Sequence, residues 1–231
     1  MSRHAQASSS AMKVLDTVAI YGPLAVSSWY FEALVDDPIT TLLRLSPAVL
    51  LLTIIPRLID PKCSGATMVY SLGTLLALFL PATYVMVVLM GAPFTTHFPQ
   101  TALFSAHLSI MLFFTAITKF GLDRQKWLPL LPNIDSEGDS KGDGPKSAGV
   151  GARLGGTGME GIVWGTLAGA YLGAVPIPLD WDRAWQKWPV TVHIGACLGL
   201  AVGGTLQTAY NTFSSDTPKA RKVTAKDKKV Q

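Results

Sequence analysis

Charged residues are scarce in this chain. Only 15% of its 231 residues are Asp, Glu, Lys or Arg, whereas 49% are hydrophobic. A soluble domain carries about 25% charged residues. The few charges lie in short polar segments between long apolar runs. This pattern is typical of a membrane protein with several spans, and it leaves no room for a large soluble domain.

Cysteine is nearly absent, and clusters of metal-binding residues are not found. The two cysteines, Cys63 and Cys197, have no Cys or His neighbours at metal-binding spacing, so we expect reduced thiols, no metal and no cofactor. The N-terminal segment also lacks the basic flank, short apolar core and cleavage site of a signal peptide. We therefore expect the first apolar run to be retained as a span.

The apolar runs predict an all-α, polytopic membrane protein with about six transmembrane helices. Continuous rather than alternating hydrophobicity favours helices over strands. The predicted spans cover residues 14–34, 39–59, 66–90, 99–120, 158–177 and 190–210. These spans divide the chain into an N-terminal tail (1–13), four helices (14–121), a linker (122–157), two helices (158–210) and a basic C-terminal tail (211–231). The linker is rich in Gly, Ser and Asp, and this composition predicts flexibility.

The basic residues predict the orientation of the chain. With six spans, 16 of the 19 Lys and Arg residues lie on one side, the exceptions being Arg44, Arg183 and Lys187. The positive-inside rule makes the basic side cytosolic. Both termini are then cytosolic, and the segment between the last two spans is lumenal. Topology accounts for the basic tail, so we expect no nucleic-acid partner.

Glycines recur every four residues in the last two predicted spans. They are Gly161, Gly165, Gly169 and Gly173 in one span and Gly195, Gly199 and Gly203 in the other. Such spacing places small residues in one stripe along a helix, where another backbone can approach closely. Two interpretations remain open. The stripes form a docking face for a partner subunit, or the two helices pack against each other.

Three tryptophans occur in the lumenal segment "PIPLDWDRAWQKWP", residues 176–189, which we call the tryptophan motif. The spacing of Trp181, Trp185 and Trp188 predicts a short helix with all three rings on one face. Tryptophan favours the membrane–water interface, because its ring is buried there while its N–H stays wet. The motif therefore has the composition of an interfacial anchor.

Polar residues alternate with these tryptophans. We expect Asp182, Arg183 and Gln186 to face away from the membrane and Asp180 to cap the short helix. This polar face fits a surface for a partner or a lipid headgroup. Asp180 and Asp182 could alternatively form a catalytic carboxylate pair, although no nearby His/Asp set completes such a site. In the fourth span, we interpret His107 as an interhelical hydrogen-bonding residue.

The motif and its flanks resemble a known family. The sequence "GAVPIPLDWDRAWQKWPVTVHIGACLG" is similar to the signature near the C-terminus of the phosphatidylinositol-glycan class F proteins. The sequences "LVDDPITTLLRLSP" and "ALFSAHLSIM" are similar to the second and fourth spans of that family. The tails and the linker carry no resemblance. Many members have proline where this chain has Ala184, a difference that favours a more regular helix here.

The resemblance implies a six-span protein of the endoplasmic reticulum that takes part in glycosylphosphatidylinositol (GPI) anchor synthesis. Such proteins are accessory subunits of class O or class G ethanolamine phosphate transferases, so it implies a non-catalytic role. From the motif itself we expect contacts with the partner or a lipid, such as the GPI precursor or phosphatidylethanolamine, through Asp180, Trp181, Asp182, Arg183, Trp185, Gln186 and Trp188. Two alternatives stay open: an enzyme acting on a lipid phosphate through the Asp180–Arg183 segment, and a small lipid transporter.

Overall fold

The computed structural model describes residues 3–60, 63–127, 130, 158–179 and 182–216. Every regular element in these residues is helical, which confirms the all-α class. The elements are α1 (Arg3–Trp29), α2 (Phe31–Asp36), α3 (Pro38–Ile59), α4 (Gly65–Leu89), α5 (Phe98–Phe120), α6 (Arg124–Trp127), α7 (Glu160–Ala174), a 3₁₀ turn (Ala184–Gln186) and α8 (Val190–Asp216). Helices α4 and α5 each include a π-helical segment, at Leu75–Phe79 and Ile110–Phe114.

Four of these helices are long and apolar enough to cross a membrane. They are α3, α4, α5 and the Val190–Ser214 part of α8. Helix α1 has 27 residues but begins in the polar N-terminal segment. Helix α7 has 15 residues, or about 22 Å, which is shorter than the ~20 residues of a typical span. The membrane character is thus confirmed, whereas the predicted count of six spans is not.

Local sequence signals explain where helices begin and end. At the start of α3, Asp37 Oδ1 accepts a hydrogen bond from the Thr40 amide at 3.2 Å, and Pro38 occupies the first turn. The Thr40 side chain and backbone bond the Asp37 carboxylate and lower its pKa from the ordinary value. The last turn of α7 ends at Ala174, just before Pro176, because proline cannot continue the backbone hydrogen-bond pattern.

The long helices alternate in direction, so the bundle has two ends. The motif end holds residues 29–38, 89–98 and 174–190, and the tail end holds the opposite helix termini. At the tail end, the buried Arg57 of α3 pairs with Asp16 of α1 at 2.9 Å and with Asp60 at 3.8 Å. Helix α5 runs through the centre and contributes the largest share of the buried core, including Phe104, Leu112 and Phe114.

Candidate functional site

The tryptophan motif is a loop closed by the side chain of Gln186. Its Nε2 donates hydrogen bonds to the carbonyl oxygens of Pro176 and Leu179, both at 2.6 Å. Its Oε1 accepts one from the Arg183 amide at 2.9 Å. Among the described residues of the motif, only Ala184–Gln186 forms a helical turn. The regular helix expected from the tryptophan spacing is therefore wrong for the described part of the motif, and the Gln186 side chain points into the loop.

The two described tryptophans of the motif contact different parts of the bundle. Trp188 Nε1 donates to Thr101 Oγ1 of α5 at 3.0 Å, and its ring stands edge-on to that of Phe104 with centroids 5.8 Å apart. Trp185 is half-buried and lines a groove together with Phe31 of α2. The two rings thus do not share one face. Sequence reasoning missed the Thr101 contact because 87 residues separate its partners.

The charged residues of the described part of the motif lie at its surface. The side chains of Asp182 and Arg183 are both exposed. Asp182 adopts a left-handed backbone with φ of 48°, a conformation that aspartate and asparagine accept more readily than most residues. Asp180 and Trp181 lie outside the described residues, so the proposed carboxylate pair and the proposed helix cap are untested. In the described part of the chain, no group of three or more His, Cys, Asp or Glu residues could hold a metal ion.

The two glycine stripes lie face to face between α7 and α8. An added Cβ at Gly165 would overlap the carbonyl oxygen of Gly199, and one at Gly199 would overlap that of Gly165. The same overlap recurs along the contact, pairing Gly161 with Gly203, Gly169 with Gly195, and Gly173 with Thr191. Because no side chain separates the helices, their backbones touch over the whole length of α7. We call α7 and α8 together the glycine hairpin.

One side of the glycine hairpin is an open apolar groove of about 840 Å³. Glycine backbone forms its floor, and the groove extends from Glu160 at the tail end to Pro176 and Trp185 at the motif end. Its walls are large apolar side chains, most of them exposed: Phe31, Trp164, Leu172, Leu198, Val202 and Leu206. We call this surface the hairpin groove.

Two buried histidines lie between helices: His107 joins α5 to α3, and His193 joins α8 to α1. The rings of His107 and His193 are fully buried, with centroids 5.2 Å apart. His107 Nε2 lies 3.1 Å from the Leu42 carbonyl oxygen and 2.8 Å from Ser46 Oγ on α3. Since a carbonyl only accepts, this nitrogen carries the proton. His107 thus makes the interhelical hydrogen bonds predicted for it.

His193 makes the corresponding contact with α1. Its Nε2 lies 3.0 Å from Ser27 Oγ, and both side chains are fully buried. A hydroxyl beside an imidazole can serve nucleophilic catalysis when a third group orients the ring. Within the described residues, the other ring nitrogen, Nδ1, has no hydrogen-bond partner. Among the described residues, this fully buried pair joins α1 to α8.

Comparisons with known proteins point to one family. The profile of the "GPI biosynthesis protein family Pig-F" matches residues 19–208, which is most of the chain. Two fungal relatives are named "Glycosylphosphatidylinositol anchor biosynthesis protein 11". The one from Pyricularia oryzae is 34% identical over 75% of this chain and 67% of its own length. The one from Neurospora crassa is 33% identical over 80% of this chain and 72% of its own length.

A human relative carries a more specific name. The "GPI ethanolamine phosphate transferase, stabilizing subunit" of Homo sapiens is 53% identical over 38 residues, which cover 16% of this chain and 17% of the human protein. No solved structure gives a significant match to this chain. The profile match and the two long fungal alignments decide the family. The chain belongs to the Pig-F family of GPI biosynthesis proteins.

Proposed function

We propose that this chain is a non-catalytic subunit that stabilises or positions an ethanolamine phosphate transferase of the class O or class G type in the endoplasmic reticulum membrane. The human relative's name supports a transferase partner. The hairpin groove is the observation that carries the proposal. Large apolar side chains line an open groove along the most closely packed helix pair, and a partner helix would cover them. A transmembrane helix of the transferase occupies this groove.

The shape of the groove suits a helix better than it suits the chain's own polar segments. Trp164 and Leu172 stand on the α7 wall, and Leu198, Val202 and Leu206 stand on the α8 wall. With glycine backbone between these walls, a partner helix can lie close to the hairpin and gain van der Waals contact along its length. Helices in lipid associate through such contact, since lipid tails are as apolar as leucine.

The tryptophan motif extends this surface beyond the membrane. Trp185 closes the groove at the motif end, and the exposed Asp182 and Arg183 lie just beyond it along the chain. In our proposal these charges face the transferase's lumenal domain or a lipid headgroup, such as that of the GPI precursor or phosphatidylethanolamine. The excess of basic residues at the tail end favours a lumenal motif and cytosolic termini.

Filling the groove tests the proposal. Val202→Trp adds a large ring on the groove wall, at a residue whose side chain is 58% exposed. Val85→Trp on α4 is the matched control, since Val85 is 56% exposed and does not line the groove. We expect Val202→Trp to lower recovery of the transferase with this chain from membranes at least about fivefold, a typical cost of overpacking. Equal recovery with both variants, at equal amounts of the chain, would contradict the proposal.

A further inference from the structure

A second cavity, of about 510 Å³, lies at the motif end on a different face of the glycine hairpin. Helices α4, α5, α7 and α8 all contribute to its walls. The residues that shape it are Met86, Met90, Leu108, Leu167, Ala174 and Trp188. We call it the motif-end cavity. Helix α7 separates it from the hairpin groove, because Leu167 and Ala174 lie on one face of α7, whereas Trp164 and Leu172 lie on another.

Hydrogen bonds hold the mouth of this cavity in a defined shape. Thr101 Oγ1 donates to the Pro93 carbonyl at 3.0 Å and accepts from Trp188 Nε1 at 3.0 Å. The Ala92 amide donates to the Val87 carbonyl at 3.1 Å. The loop that follows α4 and the loop that precedes α8 are thus both fixed to the helices. Protein interiors are normally close-packed, so a maintained space within the volume range of ligand pockets points to a bound molecule.

The walls indicate what kind of molecule fits. Most of the lining is apolar, with His97 and Tyr171 as its polar side chains, and the two methionines are unbranched and flexible, so they adapt to a chain of variable shape. Helices α4 and α5 are both apolar enough to cross the bilayer, so the surrounding medium is lipid hydrocarbon. An acyl chain is therefore the occupant that the walls favour.

The cation that precedes the wall residue Trp188 in the sequence indicates the headgroup. Lys187 is exposed and directly precedes Trp188, which forms part of the wall. Arg183 is a second exposed cation in the same loop, next to the exposed carboxylate of Asp182. An ammonium group beside an acyl-chain cavity complements a lipid that carries a phosphate.

We propose that the motif-end cavity binds one acyl chain of a glycerophospholipid whose phosphate lies at Lys187. The bound chain fills the space between the hairpin and α4–α5 and so supports the motif from beneath. This proposal goes beyond the accessory role, because it concerns the chain alone and needs no transferase.

Photo-crosslinking of the purified full-length chain tests the proposal. The chain is reconstituted in phosphatidylcholine nanodiscs that contain a trace of phosphatidylcholine with a diazirine on one acyl chain. Ala174→Phe and Met90→Trp each fill the cavity from a different wall; Met90 is 51% exposed at the end of α4 and tolerates replacement more easily. Ala168→Phe is the control, because the same bulk then enters the hairpin groove instead. Retained melting behaviour identifies the variants that fold.

We expect cross-links at Met86 and Leu108 in the unmodified chain, and their yield should fall at least about fivefold in the filled variants but not in Ala168→Phe. Lys187→Gln should lower labelling by the phospholipid to the level given by a diazirine diacylglycerol, which lacks the phosphate. Cross-links spread in proportion to exposed surface and unaffected by either filled variant would overturn the proposal. Preferential labelling of the same residues by a photoreactive sterol would overturn it as well.

Discussion

Helix α8 is held in the bundle by two contacts of opposite character. Its contact with α7 is mainly backbone against backbone, because glycine faces glycine in three successive pairs, and Gln207 Oε1 of α8 accepts from the Gly161 amide at 2.8 Å. Its contact with the rest of the bundle is polar: His193 bonds Ser27 of α1 and packs edge-on against His107 and Phe104 of α5, and Thr205 Oγ1 lies 2.6 Å from the Tyr21 hydroxyl. Membrane helices lack a hydrophobic force between them and associate through close packing or polar bonds. Helix α8 packs closely against α7 on one side and forms polar bonds with α1 on another.

The two contacts differ in how well they tolerate substitution. Backbone packing has no spare volume, so any side chain larger than hydrogen separates the helices. A hydrogen-bonded contact depends on a few atoms, and a residue of another shape can partly replace them. We therefore expect the glycine contact to be the less tolerant of the two and the histidine contact to be adjustable.

Substitution in the glycine contact should have the largest effect. In Gly165→Leu/Gly169→Leu, each new side chain would overlap backbone atoms of α8 that cannot rotate away. We expect a loss of about 3 kcal/mol or more of folding free energy, at the upper end of overpacking effects. The measurement is the amount of monodisperse chain recovered in mild detergent.

Gly73→Leu on α4 is the control for the glycine contact, because an added Cβ there meets nothing within 4 Å. It should be recovered as well as the unmodified chain. Full recovery of the double variant as well would show that the backbones of α7 and α8 do not need to touch.

Removal of His107 should have a smaller effect. His107→Ala leaves the Leu42 carbonyl and Ser46 without their partner across the helix contact. We expect a loss of about 1–2 kcal/mol, since interhelical hydrogen bonds in membranes are individually modest. Unfolding in SDS-containing mixed micelles measures the change, and His97→Ala, at an exposed histidine, is the control. His107→Asn should restore part of the stability because its amide can still donate; no difference between Ala and Asn would argue against a hydrogen-bonded contact.

A third substitution acts in the loop that joins α7 to α8. The Gln186 amide donates to the carbonyl oxygens of Pro176 and Leu179, which follow the end of α7. Gln186→Glu keeps the shape and the acceptor for the Arg183 amide but removes both donors. We expect faster amide hydrogen exchange within residues 176–188 and little change in the helices, as measured by mass spectrometry. Protection of the loop equal to that of the unmodified chain would show that the amide does not close it.

The sequence predicts the long helices well and the loop poorly, for physical reasons. The predicted spans 39–59 and 99–120 differ by a residue or so from Pro38–Ile59 and Phe98–Phe120, because apolar runs bounded by proline have clear limits. The extension of α1 back to Arg3 has no apolar signal, so the prediction began at residue 14. The predicted fifth span continued to 177, whereas α7 ends before Pro176.

The glycine stripes and the tryptophan motif also depend on tertiary contacts that the sequence alone does not predict. Spacing by four identifies the glycines but does not say what faces them, and both interpretations were open until the helices were placed. The role of Gln186 depends on where the Pro176 and Leu179 carbonyls point, which no periodicity encodes. The separation of Trp185 from Trp188 depends on Thr101, a residue far away in the sequence. Site residues fixed by local pattern are predictable, and those fixed by tertiary contacts are not.

The smallest expected effect belongs to Asp182, which takes part in neither contact of α8. Asp182→Asn removes the charge, and asparagine also accepts the left-handed backbone at this residue. We expect the amount of transferase complex and its turnover in isolated membranes to stay within about twofold of normal, as for other exposed substitutions. Trp185→Ala provides the contrast, because it removes a ring from the groove wall and should reduce the complex while leaving the turnover of each assembled complex unchanged. Intact complexes without turnover in Asp182→Asn would instead place chemistry in the motif, because acid–base catalysis needs the ionisable carboxyl group.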